Sequence, residues 1–196
     1  MWTIFGQDHL LKRLEPTLKQ RRQSHAYLLN GPPHVGKMSL AINIAQALNC
    51  LEGPGAPCGV CTQCTRISGG LHADVRVVAP GQGEEGRSAR TMIGIDDIKE
   101  ALRRVSLNPY EGSSSVVIFD GAESMSDEAA NALLKTLEEP PPQVMFLLLT
   151  ANESAVLPTI RSRCQSMALA PLSKEKMVDQ LITGHQTTPE QAEQLF

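Results

Sequence analysis

Leu10, Leu11, Leu14 and Leu18 recur at helical spacing among polar neighbours, which predicts an amphipathic helix near the start of the chain. The short apolar run Ala26-Tyr27-Leu28-Leu29 leads directly into Gly31, and Leu40 to Leu48 then shows helical periodicity rich in Ala, Ile and Leu. Further buried strands are predicted at Val75 to Val78, Val116 to Phe119 and Met145 to Leu149, each apolar and bounded by turn or polar residues. Between them, Asp96 to Val105 and Asp127 to Leu137 carry apolar residues at three- and four-residue spacing, the mark of helices. This alternation implies an α/β fold, a mostly parallel sheet covered by helices. Pro80 to Arg90 is rich in Gly, Glu, Arg and Ser without periodicity and reads as a mobile surface loop.

The α/β pattern, residues 1–170, ends near Ala170-Pro171-Leu172, and residues 171–196 read as the start of a helical unit. Ser173 can cap a helix running through Thr183, and Thr188-Pro189-Glu190-Gln191 offers an N-cap, a proline at the first helical position and a Gln three residues after the cap. That unit stops at Phe196 with too few residues to bury a core of its own, so the chain is expected to be a piece of a longer protein.

Composition narrows the function classes. The 196 residues are 41% hydrophobic and 20% charged, the balance of a soluble globular chain. A net charge of -3 gives no global attraction to nucleic acid, leaving only a local patch of Lys12, Arg13, Lys19, Arg21 and Arg22, which also suits a solvated helix face. With 4% aromatic residues, a binder that stacks single-stranded bases on rings is disfavoured. The longest apolar run, Val144 to Leu149, is too short to cross a bilayer, and no apolar signal core opens the chain, so a cytoplasmic location is expected.

Gly31-Pro32-Pro33-His34-Val35-Gly36-Lys37 has the spacing of a phosphate-cradling loop between strand and helix, where helix N-H groups and the positive end of the helix dipole meet an anion. Gly31, Gly36, Lys37, Met38 and Ser39 are therefore candidate phosphate or nucleotide contacts. Met38 stands where a hydrolysing enzyme places the Ser or Thr hydroxyl that holds magnesium. The strand Val116 to Phe119 ends in Asp120, the usual position of a carboxylate that meets nucleotide-bound magnesium, but the water-orienting Glu that would follow is Gly121. Glu123 lies two residues farther on, with no requirement to point at the site. Both departures strike the same chemical step.

Cys50, Cys58, Cys61 and Cys64 form C-x7-C-x2-C-x2-C, with Gly53, Pro54, Gly55, Pro57 and Gly59 bending the chain so that four sulfurs can converge. This spacing points to a structural zinc site in a module spanning residues 50–64. An iron-sulfur cluster is the rival, but Ser68 stands where a ferredoxin pattern needs its fourth cysteine. Disulfides are disfavoured in a cytoplasmic chain. Four ligands leave no open position for water, so the metal is not expected to be catalytic.

These residues together carry a resemblance. Phe5-Gly6-Gln7, His25 to Leu29, the phosphate loop, the cysteine module, Asn131 to Pro141 (Asn-Ala-Leu-Leu-Lys-Thr-Leu-Glu-Glu-Pro-Pro) and Ser162-Arg163-Cys164 make the chain similar, over nearly its whole length, to the AAA+ subunits of the bacterial DNA polymerase III clamp loader. The resemblance implies a RecA-like AAA+ phosphate-loop module followed by a helical lid, and partnership with gamma/tau and delta subunits in loading the sliding clamp onto primed DNA. Two subunits share the pattern, the hydrolysing gamma/tau motor and the delta-prime subunit. Lys37-Met38, Asp120-Gly121 and Asn108 to Gly112 look more like delta-prime, while the retained Lys37 departs toward the motor. The resemblance further implies that Arg163 acts in trans on a neighbour's ATP and that Thr150 occupies a sensor position, a strand-end Thr satisfied by backbone being an equal reading. Binding of ATP, ADP or phosphate stays separate from turnover. In the family an oligomerising collar follows this region, so this piece is expected to be monomeric.

Overall fold

The structure, a computed structural model, describes residues 1–81, 91–105, 108–174 and 177. Helix α1 (Asp8–Lys19) precedes strand β1 (Ala26–Asn30), the loop of residues 31–36 and helix α2 (Lys37–Asn49). Helix α3 (Thr62–Ser68), strand β2 (Val75–Val78), helix α4 (Ile95–Val105), strand β3 (Ser115–Asp120), helix α5 (Asp127–Glu138) and strand β4 (Val144–Thr150) follow. The short helix α6 (Pro158–Arg161), with Pro158 in its first turn, leads into strand β5 (Gln165–Ala168). Helix α3 and strand β5 have no counterpart in the sequence reading: α3 has only seven residues, and β5 reads Gln-Ser-Met-Ala, too polar for an apolar run.

The five strands form one sheet in the order β2-β3-β4-β1-β5, with every pairing parallel. Successive side chains of each strand enter opposite layers, as the two-residue period requires. Tyr27, Leu29, Val116, Ile118, Met145, Leu147 and Leu149 pack against α1, α2 and α3. Ala26, Leu28, Val117, Phe119, Phe146 and Leu148 pack against α4, α5 and α6. Burial on both faces explains why the central strands are apolar throughout rather than alternating. Each fully buried Leu, Ile or Phe contributes on the order of 1.5–3 kcal/mol, so this double layer is the main source of stability.

Strand order positions the site. In β1–β4 pairing Asn30 lies opposite Thr150, and in β3–β4 pairing Asp120 lies opposite Leu149, which brings three strand ends to one rim of the sheet. The chain leaves β1 at this rim and crosses β4 and β3 to reach β2, whereas β5 lies on the other side of β1. Such a reversal of strand order opens a crevice at the carboxyl ends of the strands.

The N-terminal segment is tied to the end of the α/β module. Gln7 donates from Nε2 to the Ala170 carbonyl at 2.7 Å and accepts the Ala170 N-H at 3.4 Å. The expected loop at 80–90 lies outside the described residues except for Pro80 and Gly81, and so does most of the helical unit expected from Ser173 onward.

Candidate functional site

The phosphate loop folds as its spacing predicts. Gly36, with φ 96°, caps α2, and the first intrahelical bond runs from the Leu40 N-H to the Gly36 carbonyl at 2.9 Å. The N-H groups of Lys37, Met38 and Ser39 therefore lack helical acceptors, and no side chain caps them. They open into a cleft of about 490 Å³ lined by Pro33, His34, Gly36, Lys37, Met38, Ser39, Asp120, Gly121, Glu123, Leu149, Thr150 and Ala151. The fold thus gathers Gly36, Lys37, Met38, Ser39, Asp120 and Thr150 around one space, while Gly31 meets it through Lys37. The lysine turns back on its own loop, donating from Nζ to the Gly31 carbonyl at 2.6 Å and the Pro32 carbonyl at 2.8 Å. Burial holds its ammonium below the usual lysine range, opposed by the negative charges of Glu123 and Asp120.

The structure supplies the direction of Glu123, which the sequence left open. The turn over Ala122–Ser124 swings the carboxylate into the cleft, where Oε1 accepts the Ala151 N-H at 3.0 Å and Oε2 is enclosed without a partner among the described residues. The residue that begins this turn, Gly121, has φ 85°, so a Glu at that position would carry left-handed strain as well as a new charge. Thr150 is buried, and its hydroxyl oxygen accepts the Asn152 N-H at 3.0 Å. Its position at the rim of the cleft fits both readings given above.

A second lobe of about 360 Å³ adjoins the cleft and shares Pro33, His34, Gly36 and Ser39 with it. Ile4, Phe5, Val35, Leu172 and Met177 give this lobe apolar walls beside the phosphate loop. The sequence reading assigned none of them to a common space: Ile4, Phe5, Leu172 and Met177 come from opposite ends of the described chain, and Val35 entered only as part of the phosphate loop.

The four cysteines do converge. Their sulfurs all lie within 4.8 Å of one another, and none of the cysteines is in a disulfide. Four bonds of about 2.3 Å in a tetrahedron place sulfurs about 3.8 Å apart. Cys58 Sγ and Cys64 Sγ are 3.9 Å apart, close to that spacing. Backbone N-H groups point at the sulfurs as a thiolate site requires: Cys58 N-H to Cys50 Sγ at 3.4 Å, Cys61 N-H to Cys58 Sγ at 3.3 Å and Cys64 N-H to Cys61 Sγ at 3.5 Å. Burial pushes the Cys64 thiol up to about 12 and raises Cys50 as well. Burial also acts upward on Cys61, but the Leu51 and Cys64 N-H groups and the neighbouring thiols outweigh it and bring that thiol down to about 6. Hydrogen bonds from the Cys61 and Val60 N-H groups lower Cys58. Four thiolates so close would repel one another, and a divalent cation is what makes them compatible. The cluster could hold a metal ion, with all four donors coming from this chain.

Arg163 lies outside both lobes. Its backbone N-H bonds the Ile160 carbonyl at 3.0 Å, and its guanidinium folds over the end of α6 toward Glu138. Neighbouring Cys164 is inert by placement, since burial raises its thiol to about 12.

Parallel sheet, rim cleft and phosphate loop define a RecA-like AAA+ module. Residues 6–173 match the family described as DNA polymerase III, delta subunit, and the chain belongs to it. It is 36% identical over 193 residues to DNA polymerase III subunit tau of Bacillus subtilis, covering 98% of this chain and 32% of that protein. To subunit delta' of the same organism it is 36% identical over 176 residues, covering 90% of this chain and 51% of that protein. The chain thus spans about a third of the tau subunit and about half of the delta' subunit. Among solved structures, a DNA polymerase III gamma subunit-related protein of Thermotoga maritima superposes with a TM-score of 0.62 at 26% identity, covering 89% of this chain and 49% of that one. A RuvB protein of the same organism shares the fold alone, with a TM-score of 0.59 at 17% identity over 97% of this chain and 55% of that one.

Proposed function

We propose that the chain is a delta-prime-type subunit of a DNA polymerase III clamp loader that grips an anion or nucleotide without turning it over. In this reading it works beside gamma/tau and delta subunits to support ATP-driven loading of the sliding clamp onto primed DNA. The observation that carries the reading is the cleft itself. Free N-H groups at the start of α2 face it, and Lys37 would meet a phosphate by exchanging the Gly31 and Pro32 carbonyls for it, while Met38 presents a thioether where magnesium needs an oxygen and Gly121 presents no carboxylate. Arg163, outside its own cleft, is proposed to meet the ATP of the adjacent subunit, where an arginine stabilises charge developing on the transferred phosphoryl group. Zinc is the metal proposed for Cys50, Cys58, Cys61 and Cys64; when bound it pins the knuckle to the end of α2 and supplies no open coordination position.

The test is Arg163→Ala in a loader reconstituted with its ATPase subunits. Turnover at the facing site should fall by roughly 10³-fold or more. Unchanged DNA- and clamp-stimulated ATPase activity removes the role.

A second reading, a gamma/tau-type ATPase, is favoured by the enclosed carboxylate oxygen of Glu123 in the cleft. It predicts magnesium-dependent ATP hydrolysis by the isolated chain, lost in both Lys37→Ala and Glu123→Gln and raised by Met38→Thr. Background hydrolysis in all four proteins rules it out.

A further inference from the structure

We infer that Glu138 is a positioning residue for Arg163, holding its guanidinium in the orientation in which it is offered to a neighbour's phosphate. The inference rests on the in-trans reading proposed above and adds a residue to it. Arg163 Nη1 donates to the Thr159 carbonyl at 2.9 Å and to Ser162 Oγ at 3.3 Å, and Nη2 donates to Glu138 Oε1 at 2.5 Å. The side chain is thereby clamped between α6 and the end of α5. Glu138 stands on a fixed platform: α5 is anchored in the core by Leu133 and Leu137, and its end is closed by the Glu139 N-H bonded to the Lys135 carbonyl at 3.1 Å. Pro140 and Pro141 cannot continue the helix.

Folding stability gives little reason for this arrangement. The two side chains remain 33% and 52% exposed, and an ion pair so solvated contributes little to stability. What the clamp does remove is rotamer freedom, which an unrestrained arginine would lose on meeting its phosphate. The contacts occupy the Nη1 and Nη2 groups, and among the described residues the Nε hydrogen has no partner. One edge of the guanidinium is therefore left to meet an incoming oxygen while the carboxylate holds another.

The experiment measures kcat and KM for ATP in the reconstituted loader carrying E138Q, E138D, R163A or E138Q/R163A, with Glu139→Gln as a surface control. E138Q should lower kcat about three- to tenfold with KM unchanged, the range expected for immobilising one flexible side chain. E138D should recover part of the loss, and the double variant should match R163A alone. Wild-type or raised kcat in E138Q, or a double variant clearly slower than R163A, overturns the inference. If R163A itself leaves turnover unchanged, the in-trans reading fails first, a result distinct from an effect of R163A without one of E138Q. Should E138Q lower the unfolding midpoint, side-chain NMR of the Arg163 Nε-H decides: equal order in wild type and E138D overturns the proposal, and loosened order in E138D supports it.

Discussion

The Gln46 carboxamide on α2 donates to the Cys64 carbonyl at 2.9 Å and to Ser68 Oγ at 2.7 Å, tying the helix that begins at the phosphate loop to the cysteine knuckle. On its other side Gln46 Oε1 accepts from Asn43 Nδ2 at 3.0 Å, and Asn43 Oδ1 accepts the Thr3 N-H at 2.7 Å. Gln46 and Asn43 are both buried. Gln46→Leu would leave the Asn43 amide N-H without its partner inside the core and remove the side-chain bonds to Ser68 Oγ and the Cys64 carbonyl, which keeps its place in the α3 ladder. The expected loss is about 1–3 kcal/mol, with weaker metal retention at the cysteine cluster, read from urea unfolding and from chelator competition with added zinc. Unchanged zinc retention would show that the knuckle does not depend on this link.

Zinc should bind at one ion per chain and release protons as it does so, chiefly from Cys50 and Cys64, the thiols that burial keeps protonated. At a free concentration a thousandfold above Kd, binding contributes about 4 kcal/mol, moving the thermal midpoint of a chain this size by roughly 8–16 °C. Metal analysis, a pH indicator and thermal melts before and after chelation check this. Cys61→Ser should abolish the proton release and the shift together.

His72 predicts a pH dependence. Its side chain is fully buried, Nδ1 accepts the Asp74 N-H at 3.1 Å, and Nε2 is enclosed without a partner among the described residues. Burial lowers its pKa below 6.5, opposed by Glu111 and Asp74 and aided by Arg66. The unfolded chain therefore takes up this proton first as pH falls. The His72 contribution is fully present above pH 6.5 and drains away between 6.5 and the depressed folded value. Urea midpoints at pH 7.5 and 5.5 should differ less in His72→Phe than in wild type, and an equal difference would refute the assignment.

Gly6 predicts a stability cost. Its φ is 71°, and a Cβ built there would overlap Leu172 Cδ2. Gly6→Ala should cost about 2–4 kcal/mol from left-handed strain and displacement of Leu172. A urea midpoint within error of wild type would mean that the Gln7–Ala170 tie forms without this close approach.

Much of the fold could be read locally. The leucines of α1, the apolar runs of β1, β3 and β4 and the periodicity of α4 and α5 each report a repeat that neighbouring residues reveal by themselves. Strand β5 and helix α3 escaped notice because one is polar with a single buried position, Met167, and the other is a seven-residue piece that starts at the end of the cysteine module. The candidate site divides in the same way. The phosphate loop and the cysteines are local spacings. Glu123, by contrast, depends on a turn whose direction only the packing sets, and Gln46 and Asn43 showed just two polar side chains three residues apart on an apolar helix.

What the sequence by itself determined is which groups are present and where the chain turns: a loop with the spacing of a phosphate cradle and Met38 in place of a hydroxyl, four thiols on turns, and strands apolar enough to be buried twice. The tertiary structure alone decided which of these groups meet. Strand order set Asp120 and Thr150 beside the loop of β1, the close of α5 placed Glu138 on Arg163 twenty-five residues away, and the rim cleft received Glu123. Periodicity is a property of neighbours along the chain, whereas these contacts depend on crossovers and layers that no short stretch of residues encodes.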